Sequence, residues 1–294
     1  MRAVQVTRFG GPEVLQLVEL DRPAPISTEV LVRVLAAGVN PVDCKTRSGE
    51  GVARWLGPPP FVVGWDVCGI VESIGYGVTR FRVGDLVYGM PRFPRSAGGY
   101  SEYVAAPSRQ LACAPAGISP FDAAALPLAA LTAWQSLVDS AHVKEGQTVL
   151  VHGASGGVGH LAVQIAEARG ARVVASGHRR DREALAARDV DVALDLVGGA
   201  DTEALLATVR DGGILLAVAD GADASVKARA LPRGVQVVEP LVEPDGHGLE
   251  EITKLVESGR LRVNIEEVFP LEEAARAHDA LQRGGRKGKL VLGL

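Results

Sequence analysis

The stretch at 148–169 constrains this chain more than any other part of it. Residues 148–152, Thr-Val-Leu-Val-His, read as a buried strand. Residues 158–169 read as a helix with Val158, Leu161, Ala162 and Ile165 on one stripe. Between them, Ala154-Ser155-Gly156-Gly157-Val158-Gly159 fits the pattern Gly/Ala-x-Gly-x-x-Gly, with Ala154 in the first position. Small residues let the backbone approach a pyrophosphate, and the free N–H groups of a helix start add the positive end of a dipole. A purely structural tight turn has the same pattern, but the strand–turn–helix context favours dinucleotide binding. The uncharged run 148–166 is not a membrane span, because its glycines and His152 suit a turn rather than an apolar helix.

The following strand, 172–175, bears on the choice of nucleotide. Chains that hold the ribose 2′-hydroxyl place an acid near the end of this strand, about 20 residues after the turn. Here the strand runs into Ser176-Gly177-His178-Arg179-Arg180, with Arg182 shortly after. Three guanidinium groups stand where a 2′-phosphate would arrive, so NADPH is expected. An ordinary solvated basic turn has the same composition.

Around this core, the first third reads as short strands at 30–34, 67–74 and 85–88, separated by Gly/Pro turns, which suggests a compact barrel-like β domain. From residue 120 helices appear, and strands at 148–152, 172–175, 190–194, 214–218 and 235–238 then alternate with helices. The tail holds helices at 249–258 and 271–283 and a strand at 289–292. The expected class is α/β, a β-rich domain followed by a doubly wound parallel sheet. A length of 294 residues accommodates two such domains. With 31 Lys and Arg against 35 Asp and Glu, no nucleic-acid or anionic-membrane surface is expected. Cys44, Cys68 and Cys113 form no CxxC pair, so neither a disulfide framework nor a metal knuckle is suggested. A reducing cytoplasm is the expected compartment, and the first residues have no signal-peptide pattern.

Several further motifs bear a family resemblance. They are Gly38-Val39-Asn40-Pro41-Val42-Asp43, Gly64-Trp65-Asp66-Val67-Cys68-Gly69-Ile70-Val71, Gly99-Tyr100-Ser101-Glu102-Tyr103, Leu131-Thr132-Ala133-Trp134, Leu196-Val197-Gly198-Gly199 and Gly288-Lys289-Leu290-Val291. With them the chain resembles the zinc-independent quinone oxidoreductase branch of the medium-chain dehydrogenase/reductase superfamily. The resemblance implies a GroES-like β-barrel catalytic domain at 1–120 and 260–294 and a Rossmann NADPH-binding domain at 121–259. It implies metal-independent hydride transfer to a quinone or an α,β-unsaturated carbonyl, in a homodimer. It places Asn40 and Thr132 beside the nicotinamide and substrate, and Val197, Gly198 and Lys289 with the turn residues and Ser176 among the cofactor contacts. Zinc enzymes of the superfamily carry a Cys and a Gly-His-Glu where this chain has Asn40 and Gly64-Trp65-Asp66, so no metal site is expected. Lys45 stands where many relatives have a Tyr; it is a candidate donor to an oxyanion and equally a solvated surface lysine. A plain turn residue before Pro41 is the lesser alternative for Asn40.

One departure is informative. Relatives have a further strand and helix before the Leu196-Val197-Gly198-Gly199 motif, whereas here residues 182–188 run almost directly into the strand at 190–194. The expectation is a shortened Rossmann sheet lacking its usual third strand, with 172–175 outermost and 190–194 beside 148–152. The missing unit belongs to the adenosine side of the cofactor site. A non-redox member of the fold, a biosynthetic cyclase or scaffold, is therefore the alternative reading.

Overall fold

Apolar and β-branched runs broken by Gly and Pro become strands throughout the chain, and their periodicity decides which faces are covered. The computed structural model describes residues 1–177, 186–219, 221–285 and 287–294. Two units emerge: residues 1–131, 243–257 and 263–294 form one, and residues 132–242 and 258–262 the other.

The first unit begins with β1 (Arg2–Val6), β2 (Leu15–Glu19) and β3 (Glu29–Val39), followed by helices α1 (Pro41–Arg47) and α2 (Ala53–Leu56). Strands β4 (Phe61–Val62), β5 (Val67–Ile74), β6 (Leu86–Gly89), β7 (Tyr103–Pro107) and β8 (Leu111–Cys113) follow, then α3 (Pro120–Ala125) and α4 (Pro127–Trp134). The boundary between the units falls within α4.

The second unit carries β9 (Thr148–His152), α5 (Gly159–Ala168), β10 (Arg172–Ser176), β11 (Val190–Asp195), α6 (Asp201–Thr208), β12 (Val209–Ala217), α7 (Ala224–Ala230) and β13 (Gln236–Val238). The chain then returns to the first unit with α8 (Gly246–Glu257), β14 (Ile265–Pro270), α9 (Ala274–Gln282) and β15 (Lys289–Gly293).

In the first unit β3 is the organising strand. It pairs antiparallel with β5 along one side, while its other side is shared by β7 opposite 29–33 and β15 opposite 36–39. The strand path β14-β15-β3-β5-β6-β8 stays open, and β2-β1-β4 form a separate small sheet, so the β-rich domain is present but the closed barrel expected from the sequence is not formed among the described residues. Gly38 is needed where β3 meets α3: a Cβ there would lie 2.5 Å from the Ala124 carbonyl oxygen and 2.9 Å from Asp66 Cβ. Both α3 and α8, placed with the nucleotide domain from sequence, pack in the first unit. Helix α8 is held to β6 by Tyr88, whose hydroxyl donates to the Leu249 carbonyl at 2.7 Å.

The second unit is a parallel five-stranded sheet in the order β10-β9-β11-β12-β13. Arg172 to Ser176 pair with Thr148 to His152, and Val192 to Asp195 pair with Val149 to His152 on the other side. The shortened topology expected from the sequence is therefore present, with β10 outermost among the described residues. The connecting residues 178–185 lie outside the described residues. Leu150, Val190, Ala193, Leu205, Leu215 and Val226 make the core on one face of this sheet.

Candidate functional site

The glycine-rich turn follows β9 directly. Gly153 has φ +87°, a left-handed conformation that favours glycine, and turns the chain away from the strand. The Gly153 and Ala154 N–H groups donate to the Ser176 carbonyl at 2.9 and 2.8 Å, and Ser155 Oγ donates to the Gly177 carbonyl at 2.7 Å. The turn is thus laced to the C-terminal end of β10. A Cβ on Gly159 would lie 2.1 Å from the Gly153 carbonyl oxygen and 2.7 Å from Ala154 Cα, so only glycine permits the helix to start this close. Helix α5 begins there with Val158 in the capping position and no side-chain cap among the described residues. A close-packed small-residue turn ending in an uncapped helix start fits a dinucleotide pyrophosphate.

The neighbouring strand ends are fixed by buried polar groups. Asp195 accepts from Val197 N–H at 3.0 Å and Gly198 N–H at 2.9 Å through Oδ1, and from Thr202 Oγ1 at 2.7 Å through Oδ2. This shapes the Leu196-Val197-Gly198-Gly199 loop. His152 is fully buried, with Nδ1 3.1 Å from Ser176 Oγ and Nε2 3.5 Å from Asp201 Oδ2.

The first unit holds a second constellation, centred on Asn40. Asn40 has extended backbone (φ −128°) and precedes α1, whose first residue is Pro41; its N–H donates to Asp43 Oδ2 at 2.7 Å. Its Nδ2 donates to Asp66 Oδ2 at 2.8 Å, and its Oδ1 accepts from Lys289 Nζ. Lys289 Nζ also reaches the Val39 carbonyl at 3.4 Å and lies 3.8 Å from Asp66 Oδ2. Asp66 Oδ1 accepts the Leu128 N–H at 2.8 Å. Tyr100 O–H donates to Asp43 Oδ2 at 2.9 Å and lies 3.1 Å from His278 Nε2, while Arg47 reaches His278 Nδ1 at 3.2 Å.

Burial dominates the electrostatics of this cluster. It pushes the Asp43 carboxyl up to about 7, against the hydrogen bonds from Asn40 and Tyr100 that favour its charged form. It raises Asp66 and lowers Lys289, and in each case the partner's charge opposes the shift. Burial, reinforced by the Arg47 charge, brings His278 down to about 3, so its imidazole is neutral.

Asn40 and Lys289, expected in different roles, are thus brought together. Lys45 is exposed on α1, and Thr132 is buried on α4 as the first residue of the second unit. Ala154, Ser155, Gly156, Gly157, Val158, Gly159, Ser176, Val197 and Gly198 all belong to the second unit, at the C-terminal ends of β9, β10 and β11. Arg179, Arg180 and Arg182 lie outside the described residues. Trp65, at the position of the zinc-ligand histidine, is fully buried, donates Nε1–H to the Arg95 carbonyl at 2.7 Å and packs edge-on to Phe93. Sequence reasoning missed Asp43, Asp66, Tyr100, His278, Asp195 and the φ of Gly153. For Asp195 a signal existed, an acid at a strand end just before a Gly-Gly pair. For the Asp43–Tyr100–His278 chain there was none, since its members are up to 235 positions apart from Asp43 to His278 by numbering.

A β-rich unit to which the chain returns at its end, joined to a parallel sheet with a glycine turn after its first strand, defines the medium-chain dehydrogenase/reductase architecture. Comparison with known proteins agrees. A zinc-binding dehydrogenase family model matches residues 169–292, and an alcohol dehydrogenase GroES-like domain model matches residues 27–116. The quinone oxidoreductase of Sus scrofa is 32% identical over 325 aligned positions, covering 99% of this chain and 97% of the relative. A quinone oxidoreductase structure from Coxiella burnetii superposes with a TM-score of 0.91 at 33% identity, covering 100% of this chain and 99% of the other. A mycobacterial protein complexed with NADPH gives a TM-score of 0.87 at 30% identity, with 100% of both chains covered. The chain belongs to the quinone oxidoreductase branch of the medium-chain dehydrogenase/reductase superfamily.

Proposed function

We propose that this chain is an NADPH-dependent reductase of a quinone or an α,β-unsaturated carbonyl, working without a catalytic metal. The observation that carries the reading is the turn after β9, where Gly159 admits no side chain and the helix start has no side-chain cap among the described residues, an arrangement that suits a pyrophosphate. The mycobacterial relative, whose structure contains NADPH, supports it. When bound, the reduced nicotinamide supplies the hydride. Residues of the turn would hold the diphosphate, Ser176 and the Val197-Gly198 loop would flank the cofactor, and Arg179, Arg180 and Arg182 would pair with the 2′-phosphate. In the first unit, Asn40 and the buried charges around it would supply fixed dipoles at the reacting carbonyl. Metal independence is supported by Asn40 and Trp65, which offer a carboxamide and a core-packed indole where zinc enzymes have a thiolate and an imidazole. A homodimer in a reducing compartment completes the proposal.

Cofactor titration followed by fluorescence tests it. NADPH should bind more tightly than NADH, and Arg179→Ala with Arg180→Ala should weaken NADPH at least tenfold while changing NADH little. Equal losses for both nucleotides would remove the 2′-phosphate clamp. Absence of binding at millimolar cofactor would favour the non-redox alternative suggested by the shortened sheet.

A further inference from the structure

We propose that Asp66 and Lys289 are positioning residues that read the two ends of the Asn40 carboxamide and hold it in one orientation. The inference rests on the reading of Asn40 as part of the hydride-transfer site.

An asparagine carboxamide is nearly symmetrical in shape, so its orientation depends on what faces its oxygen and its nitrogen. Here the neighbours are of opposite kind. The Lys289 ammonium only donates, and it sits on Oδ1. The Asp66 carboxylate only accepts, and its Oδ2 lies 2.8 Å from Nδ2. A flipped carboxamide would set an N–H against an ammonium and a carbonyl oxygen against a carboxylate. The Leu128 N–H on Oδ1 and Lys289, 3.8 Å from Oδ2, both favour the accepting form of Asp66 against the burial that raises it. All three side chains are buried, Asn40 at 1% exposure, so water cannot set the orientation in their place. One Nδ2 hydrogen is used by Asp66, and the second is left pointing in a direction these charges dictate. On this account Lys289 acts through Asn40 rather than on the cofactor, the role expected from the sequence.

The chain contains only two asparagines, Asn40 and Asn264, which makes the test direct. In protein labelled with 15N-asparagine, the Asn40 carboxamide should give a slowly exchanging proton pair. Lys289→Met should broaden or lose it while the Asn264 carboxamide, which donates to the Lys287 carbonyl, keeps a resolved pair, and Lys289→Arg should keep the Asn40 signal. Lys289→Met leaves a buried carboxylate unbalanced, so the double variant Asp66→Asn with Lys289→Met serves as a folded control without the charges, with its fold verified by circular dichroism. It should show the same loss of a single Asn40 orientation. An unaltered Asn40 signal in the folded variants would overturn the proposal. The kinetic readout is a cycle on single-turnover hydride transfer. Lys289→Met should slow it at least tenfold with NADPH affinity within threefold of wild type, and adding it to Asn40→Ala should cost nothing further. Multiplying effects, or a tenfold loss of NADPH affinity with unchanged transfer, would make Lys289 an independent or cofactor-contacting group. A wild-type protein that transfers no hydride would remove the functional reading, while the carboxamide signal would still decide the clamp.

Discussion

Tyr100 sets the direction of a buried hydrogen-bond chain. Its hydroxyl donates to Asp43, so its oxygen must accept the Nε2–H of His278, which leaves Nδ1 to accept from Arg47. The neutral imidazole with its proton on Nε2 is the only form that satisfies all three contacts. Asp43 Oδ1 has no partner among the described residues, so it is the oxygen that takes up a proton when Asp43 neutralises. The two buried groups pull stability in opposite directions. Asp43 is raised from 3.8 to about 7, so the folded chain binds this proton more tightly and gains stability as pH falls between those values. His278 is lowered from 6.5 to about 3, so the folded chain loses stability as pH falls through that window. In the overlap they largely cancel. His278→Gln removes one side of the balance. Relative to wild type it should become more stable by about 1 kcal/mol for each pH unit lowered between roughly pH 6 and pH 4. Denaturant unfolding at a series of pH values checks this, and parallel curves for the two proteins would refute it.

At the level of elements, local continuity separates what the sequence shows from what it hides. The β9–turn–α5 unit is legible because strand, turn and helix adjoin, each with its own periodicity and with small residues between them. Strands 148–152 and 67–74 match the observed β9 and β5 end to end. Helices α3 and α8 were recognisable as helices, but their unit was not, since amphipathicity says that a face is buried and not against what. The Asn40 network was hidden for a related reason: Asp66 reaches Asn40 because β5 pairs with the end of β3, and Lys289 because β15 pairs with the same end of β3 from the other side. The same element-scale geometry makes a prediction at the turn. Gly159→Ala raises helix propensity, yet its Cβ would collide with the Gly153 carbonyl at 2.1 Å and force the turn open. The variant should fold and should weaken NADPH at least tenfold, about 1.4 kcal/mol, in a fluorescence titration. Unchanged affinity would mean that the turn does not hold the pyrophosphate.

Across the whole molecule the distinguishing feature is a sheet shortened at one side. At least 31 of the 325 positions aligned with the Sus scrofa relative have no counterpart in a chain of 294 residues, a length that suits a strand and helix. Loss at an outer position leaves β9 flanked by β10 and β11, so the sheet keeps its centre and the turn keeps its support. That order was legible from sequence because right-handed parallel connections leave few alternatives once one unit is missing. The substrate was not legible, because the residues that contact it are read from a site's shape rather than from spacing. Turnover of reduced nicotinamide by the intact protein after exhaustive chelation, followed by its absorbance with a panel of quinones and enals, tests the proposed metal-free reduction at its centre. The expected result is catalysed NADPH oxidation by at least one acceptor, faster than with NADH and undiminished by the chelator. No turnover with any acceptor, or activity that disappears on chelation and returns with added zinc, would contradict it.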